Sequence, residues 1–240
     1  MKIDIWSDIV CPFCYLGKRR LEAALGAFEH RDDIEVTWHS FELDRSAPAV
    51  SDLPLVDLVA AKYGTSQEQA IAQHRSMAAA AAELGLTFNW EQARYGNTFD
   101  AHRVVHLAAE HGLADLAHER LMRAYFTDGL VVGDRDTLVG LATEIGLDES
   151  EVRAMLESDD FGNHVRSDEA TAKMLGIESV PFYVFDRKYG VSGAQPVEVF
   201  TQALETAWSN RHEQPEPAAV GGGCGGACGA DGCGGGACAR

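Results

Sequence analysis

Residues 2–7 alternate apolar and polar side chains, Ile3 and Ile5 against Lys2 and Asp4, with Trp6 a less clean member. Just beyond lies Cys11–Pro12–Phe13–Cys14, and after Pro12 the residues Leu16, Leu21, Ala24, Leu25 and Phe28 recur at helical spacing. Period-two alternation marks a strand, and the longer period marks a helix. Proline suits the first helical position, where its missing N–H would be unpaired in any case. A second strand is expected over 34–41, from Ile34 through Trp38 to Phe41. Strands joined by a helical crossover run parallel, because a hairpin turn cannot hold the helix. The cysteine pair therefore sits where a strand hands over to a helix, and the rest of the chain must be built on that unit.

Residues 55 to about 175 read almost wholly as helix. Leu55 to Tyr63 ends at Gly64, and Thr65 with Glu68 forms a capping box for a helix through the Ala-rich 77–82 that stops near Gly85. Further helices run from about Thr98 to Gly112 and from about Asp115 to Phe126. Asp136 is read as the cap of one ending at Gly146, Asp148 with Glu151 opens the next, and a last one spans about Asp160 to Leu175. After Val180–Pro181 come an apolar strand, Phe182 to Phe185, a turn at Lys188–Gly190, a short strand near Val191 and a closing helix from Val197 to Trp208. Those two strands are too close in sequence for a crossover and are expected to pair antiparallel. The order is that of an α/β, thioredoxin-like fold with a large helical insertion between its βαβ and ββα halves. Its boundaries are 1–45 and 176–208 for the two halves, 46–175 for the insertion, and 209–240 for a linker and a disordered Gly/Cys-rich tail.

A thiol at a helix N-terminus faces unpaired N–H groups and the positive end of the helix dipole, and both favour thiolate. In such sites cysteine pKa values fall to roughly 3.5–7.5 from about 8.5. Cys11 is expected to be the exposed nucleophile, with Cys14 one turn on, inward-facing and higher in pKa. Cys11 attacks a substrate disulfide, and Cys14 resolves the mixed disulfide that results. Asp8, three residues before Cys11, opposes activation if close. Lys18 and Arg19 either assist or are simply solvated, and Phe13 brings no charge. The competing reading of the pair is half a zinc site, which lacks a second cysteine pair in the body of the chain. Val180–Pro181 is read as a cis-proline loop beside the cysteines, leaving the Val180 backbone free to pair with an extended substrate.

Lys and Arg total 20 against 37 Asp and Glu, a formal net charge of -17. Such a surface repels phosphate backbones and anionic lipids, so neither nucleic acid nor membrane is expected as a partner. The opening residues read as lacking a signal peptide, and no stretch approaches the roughly 20 apolar residues of a membrane span. The expected location is cytoplasmic, where paired cysteines are redox or metal groups rather than structural disulfides.

The residues on which these readings rest resemble the DsbA-like thioredoxin family, and more closely its FrnE-type cytoplasmic branch. They are Asp8–Ile9–Val10–Cys11–Pro12–Phe13–Cys14, Asn97–Thr98, Ala101–His102–Arg103, Ser179–Val180–Pro181–Phe182 and Ser192–Gly193–Ala194–Gln195. The resemblance covers about residues 1–208. It implies a disulfide oxidoreductase or isomerase with Cys11 as nucleophile, Cys14 as resolving thiol and Pro181 as cis-proline. Pro12, Phe13 and Val180 fall to substrate binding, and the partners are protein or small-molecule disulfides and dithiols. No cofactor is implied beyond the redox-active disulfide, with glutathione admitted as co-substrate. Strongly oxidising periplasmic members carry histidine where this chain has Phe13, which favours reductase or isomerase here. A glutathione-dependent small-molecule isomerase or transferase is the alternative within the superfamily.

Asn97, His102 and Arg103 are read either as a polar wall of the substrate groove or as a helix cap, by Asn97 or Thr98, with a surface-paired Arg103. His39 is either a proton carrier for Cys14 or an edge-of-core histidine. Trp38, Phe41, Phe88 and Trp90 are core, or line a groove. Cys224, Cys228, Cys233 and Cys238 lie among ten Gly within residues 221–240. Metal binding, electron relay to Cys11 and Cys14, and no role all stay open for them. A non-catalytic metal-binding protein is the third reading, and the oligomeric state is left open.

Overall fold

The computed structural model describes residues 1–211; the four tail cysteines and the expected tail disorder lie outside the described residues. Strands β1 (Lys2–Ser7) and β2 (Glu35–Ser40) flank helix α1 (Pro12–Ala27), with a short 3₁₀ turn at Arg31–Asp33 that the sequence pattern did not signal. Strands β3 (Phe182–Phe185) and β4 (Tyr189–Ser192) precede the closing helix α9 (Val197–Ser209). Between β2 and β3 run α2 (Leu55–Tyr63), α3 (Gln67–Glu83), α4 (Phe99–Glu110), α5 (Ala114–Phe126), α6 (Arg135–Glu144), α7 (Glu149–Glu157) and α8 (Gly162–Met174). The sheet order is β2-β1-β3-β4, with β1 parallel to β2 and the other pairs antiparallel. This is the thioredoxin-like α/β fold with its helical insertion.

The alternation in β1 does not produce a half-exposed strand, because both faces are covered and Ile3 through Ser7 are all buried. On one face lie Ile3, Ile5 and Tyr183 of β3, whose ring meets Phe200 of α9 edge-on at 4.8 Å. On the other, Trp6 stacks on His39 and donates its indole N–H to the Asp168 carbonyl of α8 at 3.0 Å. His39 is held between two carboxylates, Asp4 at 2.8 Å and Asp168 at 2.7 Å. The charge demanded by a buried Asp4 is met in this way.

Two caps fall one or two residues away from the expected positions. Thr65 closes α2, its N–H bonded to the Ala60 carbonyl after Gly64 turns left-handed, so Ser66 and Gln69 make the capping box of α3. Asp134, not Asp136, caps α6 by accepting from the Thr137 N–H at 2.8 Å, while Asp136 pairs with Arg153. Asp148 caps α7 as read. Trp38 and Phe88 are core and Phe41 packs against it, whereas Trp90 is half-buried and stacks on His74.

Helix α5 reaches the sheet through His118, 1% exposed and stacked on Trp38 with ring centroids 3.9 Å apart. Neither ring nitrogen has a hydrogen-bond partner among the described residues. Burial first, then the charges of Lys18 and His102, push its pKa well below the ordinary range. Below about pH 6.5 the unfolded chain binds a proton that folded His118 refuses, so this contribution is intact above that pH and is lost on acidification. His39 and His102, both raised, carry the opposite sign: their stabilisation is present below about pH 6.5 and fades as pH rises through their folded values. We expect His118→Phe to remove a slope of about 1.4 kcal/mol per pH unit from urea-unfolding free energies between pH 6.5 and 5. An unaltered slope would mean that folded His118 accepts the proton.

Candidate active site

Cys11 is the N-cap residue of α1 and Pro12 its first helical residue. The Cys11 carbonyl accepts the Cys14 and Tyr15 N–H groups at 3.1 and 3.3 Å, which starts the helix, and its own N–H is donated back to the Asp8 carbonyl at 3.2 Å. The first turn contains no acidic side chain. Both thiols are free, and the Cys11 thiol points at the Val180 carbonyl, Sγ to O 3.7 Å. The Val180–Pro181 peptide is cis, and the Pro181 carbonyl accepts the Gly193 N–H at 2.8 Å. A helix mouth and a loop about 170 residues apart in sequence (169 for this contact) thus converge on one sulfur.

The expectation of an exposed nucleophile needs correcting. Cys11 retains only 4% of its surface, because the Val180 loop closes over its sulfur. The exposed member of the motif is Phe13, at 51%. Cys14 is 1% exposed, and burial, the hydrogen bond from Cys11 and the Cys11 charge push its thiol pKa well up, against smaller opposing effects of the Ser7 hydroxyl and the Asp8 backbone.

Tyr183 belongs to this site and was missed. A Cβ on Gly17 would lie 2.2 Å from the Tyr183 hydroxyl oxygen and 3.2 Å from Pro181 Cγ. Only glycine lets the helix lie this close to β3 one turn past Cys14. Burial, then the charges of Cys14 and Cys11, push the Tyr183 pKa well up. The available signal was Gly17 itself, a residue that costs about 1 kcal/mol in a helix interior and therefore needs a reason.

Lys18 and Arg19 are neither solvated nor turned to the cysteines. Lys18 is 2% exposed and bound by Glu22, Asp115 at 2.9 Å and Glu119 at 3.5 Å, while Arg19 pairs with Glu22 and Glu119. His39, with both nitrogens on Asp4 and Asp168, has none left to carry a proton for Cys14. Asn97 acts as a cap, accepting the Phe99 N–H at 2.9 Å, whereas Thr98 makes no side-chain cap bond. Arg103 is not surface-paired, and with Asn97 and Phe99 it lines a cleft of about 200 Å³. It is buried, donating to the carbonyls of Asp160, Ser158 and Met155 and to Asp100, and so clasps the α7–α8 turn. His102 is buried and faces Asp8. Among the described residues no group of three or more His, Cys, Asp or Glu gathers as a metal site.

Residues 2–205 match the family model described as a DSBA-like thioredoxin domain. The solved structure of a probable DsbA oxidoreductase, SCO1869 from Streptomyces coelicolor, is 48% identical, covers 88% of this chain and 91% of its own, and superposes with a TM-score of 0.84. The cytosolic disulfide reductase DsbM from Pseudomonas aeruginosa, solved with GSH, shares the fold at TM-score 0.62 and 16% identity, over 87% of this chain and all of its own (100%). YwbO from Bacillus subtilis is 29% identical over 84% of this chain and 94% of its own length.

Gly17→Ala gains up to about 1 kcal/mol of helix propensity but overpacks the Tyr183 contact, at a cost of about 1–3 kcal/mol. A net loss in urea unfolding is expected, partly restored by adding Tyr183→Phe; a stabilised alanine variant would show that helix and strand part freely. Arg103→Ala leaves several buried acceptors unpaired. It is expected to cost about 2–4 kcal/mol of stability while the alkylation rate of Cys11 in the folded variant stays at the wild-type value.

Proposed function

The chain belongs to the DSBA-like thioredoxin family, and we propose that it is a dithiol–disulfide oxidoreductase working through Cys11 and Cys14. The observation that carries this reading is the convergence of Cys11, at the mouth of α1, with the Val180 carbonyl of the cis-proline loop. Cys11, as thiolate, attacks one sulfur of a substrate disulfide, and the other sulfur leaves as thiolate. Cys14 gives up its proton and attacks Cys11 Sγ, which closes the Cys11–Cys14 disulfide and releases the second substrate sulfur. The substrate gains two electrons and the enzyme loses them; a thiol such as glutathione returns them.

The direction we favour is reduction or isomerisation. Phe13 adds no positive charge beside Cys11, and Lys18 and Arg19 are committed to carboxylates. With no extra cation on the thiolate, the reduced pair gains no special stability to make it a strong oxidant. The cis-proline loop supports an extended substrate strand at the Val180 backbone, with Pro12, Phe13 and Val180 as its contacts. Among the described residues no helix is long and apolar enough to cross a membrane, and a cytoplasmic location is part of this proposal.

A second reading, a glutathione-dependent isomerase or transferase, has one observation in its favour. A cleft of about 360 Å³ lies beside the loop that leads to Val180, lined by Phe41, Arg45, Ile177 and Glu178 among others. Insulin-disulfide reduction driven by glutathione separates the two readings. Cys11→Ser is expected to bring the rate down to the uncatalysed background, and Cys14→Ser to accumulate a mixed disulfide visible by mass. Turnover undiminished in Cys14→Ser would favour the glutathione-dependent isomerase instead, and reduction undiminished in Cys11→Ser would overturn the dithiol reading.

A further inference from the structure

Beneath the first turn of α1, two buried groups, one from the thioredoxin unit and one from the helical insertion, face each other. Asp8 opens the connection from β1 to α1 and is 1% exposed; His102 comes from α4, inside the helical block, and is 2% exposed. Asp8 Oδ1 and His102 Nε2 are 3.4 Å apart, and neither atom has a hydrogen-bond partner among the described residues. The other Asp8 oxygen accepts the Leu43 N–H at 2.8 Å, and the Asp8 carbonyl holds the Cys11 N–H. A lone carboxylate at this place works against the helix mouth, because a buried negative charge disfavours formation of a second one nearby. Lys18 and Arg19 do not answer it, since both are turned to carboxylates around α5.

We propose that His102 is a positioning residue for disulfide exchange: it shares one proton with Asp8, holds the pair at zero net charge, and leaves the mouth of α1 free to carry a thiolate. The result does not depend on which atom bears the proton. Imidazolium with carboxylate and imidazole with carboxylic acid both sum to zero. Only loss of that proton, or of His102, exposes a net negative charge beside the cysteines.

The groups around the pair support this. Burial drives His102 toward its neutral form, but Asp8 first, then Glu42 and Glu169, outweigh burial and raise its pKa. Glu42, beyond β2, and Glu169, on α8, are both paired with Arg166, and Glu169 also with Arg45. They therefore bring little uncompensated charge of their own. His118 of α5 feels the charge of His102 and is held neutral chiefly by burial, while Tyr95 and Tyr125 feel the charge of Asp8, with pKa values pushed up chiefly by burial. None of these neighbours supplies the missing positive charge, so the task falls to His102.

This inference rests on the dithiol reading, and its test keeps the two apart. The full chain carrying Cys14→Ser is alkylated with iodoacetamide across pH, and the same His102 and Asp8 variants are assayed for glutathione-driven disulfide reduction with Cys14 in place. His102→Gln is expected to slow Cys11 alkylation at pH 7 about tenfold, a shift of the profile by about one pH unit upward, with the limiting rate at high pH unchanged. Asp8→Asn/His102→Gln is expected to return the profile to its original position. A purely structural His102 would lower Tm and leave the profile in place, and that result overturns the proposal, as does a double variant as slow as the single. If His102→Gln does not accumulate as folded protein, Asp8→Asn decides. An unmoved profile supports compensation, whereas a profile shifted down by about one unit means the carboxylate was unbalanced all along. A wild-type chain that fails to reduce disulfides, yet shows the His102 shift, refutes the oxidoreductase reading and leaves only the charge balance between Asp8 and His102 standing.

Discussion

Helix α1 brings Cys11 to the Val180 loop because it lies flush against the strand that follows Pro181. The contact is made at Gly17, where the Tyr183 hydroxyl occupies the space of a missing side chain and Pro181 closes in beside it. That approach brings the Val180 carbonyl to the Cys11 sulfur and seals Cys14 underneath. Any side chain at Gly17 would wedge helix and strand apart and separate the sulfur from the loop. The chemistry at the tip of the helix is thus a consequence of packing one turn further down.

Charge is managed as closely as shape. The chain carries many more acids than bases, yet the buried carboxylates near the site are each matched. Asp4 and Asp168 share His39, with His106 also on Asp168; despite burial, hydrogen bonds from His106 and His39 hold Asp168 well below the usual carboxylate range. Glu42 and Glu169 share Arg166. Partners supplied by α4 and α8 mean that the inserted helices neutralise the floor of the thioredoxin unit as well as covering it.

The local parts of this arrangement were legible in the sequence. Strand alternation before Cys11, the proline at the first helical position, the apolar Phe182–Phe185 run and the Asp148 cap are all short-range patterns, and they locate the elements to within a residue or two. What could not be read were pairings across long separations. Lys18 meets Asp115 at a separation of 97 residues, Arg103 meets the α7–α8 turn more than 50 residues on, and Trp6 meets Asp168 at 162. A lysine in a helix and an arginine after a cap look like surface residues until the partner helix is in place. The burial of Cys11 has the same origin, since the loop that covers it comes from the far end of the chain.

Cys11 keeps a twenty-fifth of its surface open, beneath the Val180 carbonyl, while the neighbouring Phe13 ring projects into solvent. The entrance to the first helix is therefore shaped as much by the far end of the chain as by the helix itself.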